Sequence, residues 1–137
     1  MDSNRKEYTT INGELMVHSE GNIVFAEFHR AIDQKIVTHF MRAIEDIGGG
    51  YNGQKWVYIS NSLGIDAATP DSEAMLVKAV LLAQKLGCVG GAYVATSMVA
   101  IGQMDRVLKL AGVPTGIQGR VFENVEQAKA FLMPFLD

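Results

Sequence analysis

Three histidines, one cysteine and a run of hydroxyl and amide side chains carry most of the chemistry this chain could do. Histidine titrates near neutrality and serves as a base or a metal ligand. His18, His29 and His39 lie at no metal-ligand spacing, so no metal is expected. His18 falls at a strand end beside a turn. His39 neighbours Phe40 but lies off the apolar stripe of its helix, which predicts a solvated position. His29, next to Arg30 at the carboxyl end of a strand, is the histidine worth testing, although a surface loop residue is the simpler reading. Cys88 is the single cysteine, so no internal disulfide can form. Its neighbours Leu86, Gly87 and Val89, and a helix C-terminus close by, predict a buried thiol acting as a small hydrophobe.

The hydroxyl and amide groups gather in one stretch: Ser60, Asn61, Ser62, Thr69 and Ser72, with Asp66 among them. Read as a loop from Ser60 to Thr69 beyond a strand, they could hydrogen-bond a ligand. Thr96 and Ser97 place hydroxyls beside the open N–H groups of a helix start, where an anion can sit, though plain capping is simpler. No Gly-x-Ser-x-Gly elbow and no Ser/His/Asp order appears. The acidic residues fall mostly on helix faces. No catalytic residue is assigned and no cofactor is expected. A small enzyme using the Ser60–Thr69 loop with His29 or Arg106 stands as an alternative.

These groups need a scaffold, and hydrophobic periodicity supplies one. Glu14–His18 and Asn22–Phe28 read as two strands joined by the turn residues Ser19-Glu20-Gly21-Asn22, hence an antiparallel hairpin. The second strand is apolar on both faces, which predicts a place inside a sheet covered by helices. From Asp33 to Ile47, Ile36, Val37, Phe40, Met41, Ile44 and Ile47 repeat at helical spacing, with Asp33 as cap and Gly48-Gly49-Gly50 as terminator. Lys55–Ser60 is the third strand. Thr69 and Pro70 open a helix with Met75, Leu76, Val80 and Leu81 inward. Gly91–Ala95 is a central strand whose small residues suggest close packing. A third helix runs from Thr96-Ser97 to Ala111, then Arg120–Phe122 forms a short strand. Asn124 and Gln127 make a capping box for the last helix. The order ββαβαβαβα predicts an α/β domain: a mixed five-stranded sheet flanked by four helices, with right-handed parallel crossovers.

Size and composition agree. At 137 residues the chain fits one domain, read as a flexible tail over 1–10 and the α/β domain over 11–137. A hydrophobic content of 48% and a charged content of 20% suit a filled core. The net charge of −3, with scattered Lys and Arg, argues against a nucleic-acid partner. The polar start and the lack of a long apolar run predict no leader and no integral membrane segment, so a cytoplasmic location is expected. The apolar tail Phe131-Leu-Met-Pro-Phe-Leu136 exceeds what one helix face needs, which predicts a homodimer.

Gly91-Ala-Tyr-Val-Ala-Thr96, Met104-Asp-Arg106-Val107 and Arg120-Val-Phe-Glu-Asn-Val-Glu-Gln-Ala-Lys-Ala-Phe-Leu132 resemble the SpoIIAA-like family. That family is related in fold to STAS domains, the sulfate-transporter and anti-sigma-factor-antagonist modules. The likeness covers the strand-helix order and about the last third of the chain. It implies a non-enzymatic, regulatory module that binds a protein partner or a small apolar or anionic ligand. In the antagonist branch, a serine at the start of the helix after the third strand is phosphorylated by a kinase. Ser62 and Ser72 are the serines in that region. Asn61-Ser62-Leu63-Gly64 differs from the Asp-Ser-Ser-Gly type of motif and stands several residues before the helix.

Overall fold

Strand alternation is visible side chain by side chain in the opening hairpin. In β2 (Gly13–Glu20), Leu15 and Val17 are buried while Glu14 and Glu20 are exposed. It pairs antiparallel with β3 (Ile23–Arg30), setting Leu15 opposite Phe28 and Val17 opposite Ala26. In β3, Val24, Ala26 and Phe28 are buried on one face, Ile23 and Phe25 on the other, as the two-sided apolar pattern requires. The computed structural model describes residues 5–65 and 67–137.

Ahead of the hairpin lies a strand that the polar composition hides. β1 (Lys6–Thr9) pairs antiparallel with β2, so the expectation of a flexible tail is corrected for these residues. Residues 1–4 lie outside the described part. The segment is ordered by one aromatic ring: Tyr8 stacks on His39 at 4.5 Å between ring centroids. Lys6 adds an ion pair to Asp46 at 3.1 Å. His39 is therefore half-buried, where a solvated position was expected. At Gly13, which ends the β1–β2 connection, a Cβ would collide with the Ala31 carbonyl oxygen.

The remaining elements follow the predicted order. They are α1 (Gln34–Gly49), β4 (Trp56–Gly64), α2 (Glu73–Lys85), β5 (Cys88–Val94), α3 (Met98–Leu110), β6 (Val121–Phe122) and α4 (Val125–Leu132). Short 3₁₀ turns cover Pro70–Ser72 and Met133–Leu136. Among the described residues the sheet has six strands, arranged in chain order, antiparallel through β3 and parallel from β3 to β6. Three caps act where the sequence places them, while Thr69 opens a 3₁₀ turn and makes no cap bond with its side chain. Asp33, Ser97 and Asn124 side chains accept from Ile36, Ala100 and Gln127 N–H groups. Gln127 reaches back to the Glu123 N–H at 3.1 Å.

Two cores flank the sheet. On one face β2 and β3 pack against Ile36, Val37, Phe40 and Ile44 of α1, with Trp56 closing the end. Trp56 is fully buried, and its indole N–H donates to the Leu86 carbonyl at 3.0 Å. The three glycines do not simply stop α1. Gly48 and Gly49 are helical, and a Cβ at Gly48 would lie 2.8 Å from the Trp56 ring. On the other face Ile23, Phe25, Val57, Ile59, Ala92 and Val94 meet Ala128 and Leu132 of α4. Phe131, Phe135 and Leu136 also pack into this core. The apolar excess that suggested a homodimer is thus used within the chain, and Met133 is left 48% exposed. In α2, Leu76 and Ala79 face inward, whereas Leu81, expected on that stripe, is exposed.

Candidate ligand cavity

The polar stretch expected to form a loop is divided between the two faces of the sheet. β4 continues through Gly64, so Ser60, Asn61 and Ser62 are strand residues whose side chains alternate. Ser60 and Ser62 point to the side covered by α1, α2 and α3, their hydroxyls 3.1 Å apart. Asn61 points the other way and donates to Glu27 at 3.4 Å. Glu27 in turn lies 2.9 Å from the exposed His29 ring. His29 and Asn61 therefore share one polar cluster, separated from the serines by the sheet itself. Asp66 lies outside the described residues.

The other expected site residues serve the helices. The Thr69 and Ser72 hydroxyls are 2.6 Å apart, and Ser72 has no exposed surface. As folded, Ser72 offers a kinase no reachable hydroxyl, while Ser62 is half-buried. Ser97 caps α3 through a 3.2 Å bond from the Ala100 N–H, and Thr96 before it is exposed. Arg106 joins α3 to α2 through Glu73, with Nη2 at 3.1 Å and Nε at 3.4 Å from its carboxylate oxygens. Those bonds, with a further one from Gln103, hold the Glu73 carboxyl below its usual range. Among the described residues no group of three His, Cys, Asp or Glu is placed to hold a metal.

What the helices leave open is a cavity of about 170 Å³ between the sheet and α1, α2 and α3. Its floor is Tyr58, Ser60 and Ser62 of β4 with Gly91 and Tyr93 of β5, and its roof includes Leu76, Ala79 and Val80 of α2 and Ile101, Met104 and Leu108 of α3. Residue size explains the space. Gly91 brings no side chain to the floor, and α2 presents Ala79 and Ala83 above it. α3 packs chiefly on α2, touching the sheet mainly through side chains such as Leu108 against Tyr93. The small residues of β5 do pack closely on the opposite face. There a Cβ at Gly90 would lie 2.7 Å from the Phe135 ring. The lining runs along β5 from Cys88 and on to Ala95 just beyond it, roughly 23 Å at ~3.3 Å per residue.

Polar groups in this lining are few. Burial pushes the Cys88 thiol up to about 11, and it donates to the Gly90 carbonyl at 3.4 Å. It keeps its proton at neutral pH, and it is partly buried where a buried thiol was expected. Burial also raises the Tyr58 and Tyr93 hydroxyls, so both remain neutral donors. Arg120, just before β6, lines one end and donates to the Gly91 carbonyl at 3.3 Å. Sequence reasoning missed Cys88, Tyr58, Tyr93 and Arg120 as a group, since it looked only beyond the carboxyl ends of the strands. The signal available was the glycine-alanine composition of β5 facing an alanine-bearing helix.

Architecture of this kind occurs elsewhere. A crystal structure of an anti-sigma factor antagonist from Mycobacterium paratuberculosis matches the chain with a TM-score of 0.55 at 14% identity, over 85% of this chain and 91% of that one. The two share a fold. The likeness bears out the expected single α/β domain with a mixed sheet and four flanking helices, with six strands in place of five. At that identity it speaks of architecture alone. No protein-family model and no curated protein matches the chain. Among the described residues no helix is long and apolar enough to cross a membrane.

Proposed function

We propose that this chain is a non-enzymatic, STAS-like binding module that holds a small, largely apolar ligand between its sheet and α2 and α3. The observation that carries this reading is the cavity. Its 170 Å³ is roughly ten times what a single water requires. Its lining is mostly aliphatic and aromatic with a few convergent polar groups, the usual composition of a small-molecule site. The split of the polar stretch across the sheet works against an enzyme, because His29 and the serines cannot meet at one substrate. Native mass spectrometry of the purified protein, followed by solvent extraction, tests the proposal. A co-purifying apolar molecule, or saturable 1:1 uptake of a neutral probe such as 1-octanol, is expected. An empty protein that takes up neither this probe nor its carboxylate analogue octanoate would overturn it.

A protein partner is the second reading, favoured by the anti-sigma factor antagonist as fold neighbour. It is also favoured by large apolar side chains left in solvent where α3 begins: Met98 is 80% and Val99 69% exposed. A partner docked there would lose affinity on Met98→Ser or Val99→Ser, read by titration calorimetry. Unchanged affinity would move the docking surface elsewhere.

A further inference from the structure

The polar end of the cavity has donor capacity that the fold itself does not use. Tyr93 is only 7% exposed, and among the described residues its hydroxyl has no hydrogen-bond partner. The hydroxyl lines the cavity and stays reachable from it, so it is free to donate to a group that enters. Arg120 lies at the same end. Its charge acts on both the Tyr93 hydroxyl and the Cys88 thiol. Structural duties use little of it: Nη1 donates to the Gly91 carbonyl, and the guanidinium lies 5.9 Å from the Phe131 ring centroid. A guanidinium carries five donors, and no described carboxylate pairs with this one.

We propose that the ligand is an amphiphilic monoanion. Its alkyl or aryl body lies in the slot, and a carboxylate head accepts hydrogen bonds from the Tyr93 hydroxyl and the Arg120 guanidinium. This deepens the cavity reading above and rests on it. One cation and one neutral donor match a single negative charge. A doubly charged phosphate would keep an uncompensated charge beside an apolar lining, which is strongly unfavourable. A neutral alcohol would satisfy Tyr93 and leave Arg120 unused.

Titration of the intact protein with octanoate and with 1-octanol, probes of one chain length, separates the head from the body. Octanoate should bind about tenfold tighter or more, the worth of a hydrogen bond to a charged group. Tyr93→Phe keeps the ring in place and should bring the two probes to within about threefold by weakening octanoate alone. Arg120→Gln should do the same, and Arg120→Lys should restore much of the preference; melting curves verify that each variant is folded. Equal binding of the two probes to the wild type would overturn the anionic head and leave the cavity reading standing. Failure of both probes to bind would overturn the cavity reading, and this inference with it.

Discussion

Cys88 shows how one residue's surroundings fix its behaviour. Its thiol donates to the Gly90 carbonyl inside an apolar wall, and burial holds it at about 11. A free thiol titrates near ~8.5, so alkylation of Cys88 at pH 8 should run about two orders of magnitude slower than that of an unfolded control. A rate equal to the control would show the thiol to be solvated. The same shift affects stability. The folded chain keeps its proton where the unfolded thiol has lost it, so this contribution is complete below about pH 8.5 and declines as pH rises towards 11. That Cys88 packs against the core was legible from its neighbours, although it is only partly buried there. That it shares a cavity with Tyr93 and Arg120 was not, since those residues meet only through the pairing of β5 with β6.

Elements are set by repeating patterns, and single positions within them by what packs alongside. Gly48 and Gly49 look equivalent in sequence at the end of α1. A Cβ at Gly48 would press on the Trp56 ring, while one at Gly49 would meet nothing within 4 Å. Gly49→Ala should therefore stabilise by up to about 1 kcal/mol through helix propensity. Gly48→Ala should destabilise by about 1–2 kcal/mol, because overpacking against a fully buried indole outweighs that gain. Denaturant unfolding of the two variants measures the contrast, and equal midpoints would contradict it. β1 and the extension of β4 escaped the sequence for related reasons. Lys-Glu-Tyr-Thr has one apolar ring, and Asn61–Gly64 has turn-forming residues, yet hydrogen bonding to an existing neighbour strand makes each extended.

Across the whole molecule, one sheet separates two packing problems. On the α4 side Ala128, Leu132, Phe131 and Phe135 pack against the sheet. The α1–α3 side is filled near β2 and β3 but open under α2 and α3. A folded state with such a space gains stability from anything that occupies it and ignores the unfolded chain. A ligand at 100 times its dissociation constant adds about 2.7 kcal/mol, which for a domain of this size raises the melting midpoint by several degrees. Saturating octanoate should produce that shift in the wild type and a smaller one, at the same concentration, in Tyr93→Phe. Identical shifts in both would place the stabilising contact away from Tyr93.

By itself the sequence determined the order of elements after β1, most of their caps and most residues that face a core. These depend on short-range periodicity and on backbone groups that a neighbour three or four residues away can satisfy. The place of the candidate site was decided only in three dimensions. A polar run that reads as one loop became a strand, and alternation sent Ser60 and Ser62 to one face and Asn61 to the other. A cavity is a shortfall of volume summed over side chains from several elements, here glycine in β5 and alanines in α2, with α3 held off the sheet. No local pattern encodes that sum, because each contributing residue is far from the others until the chain has folded.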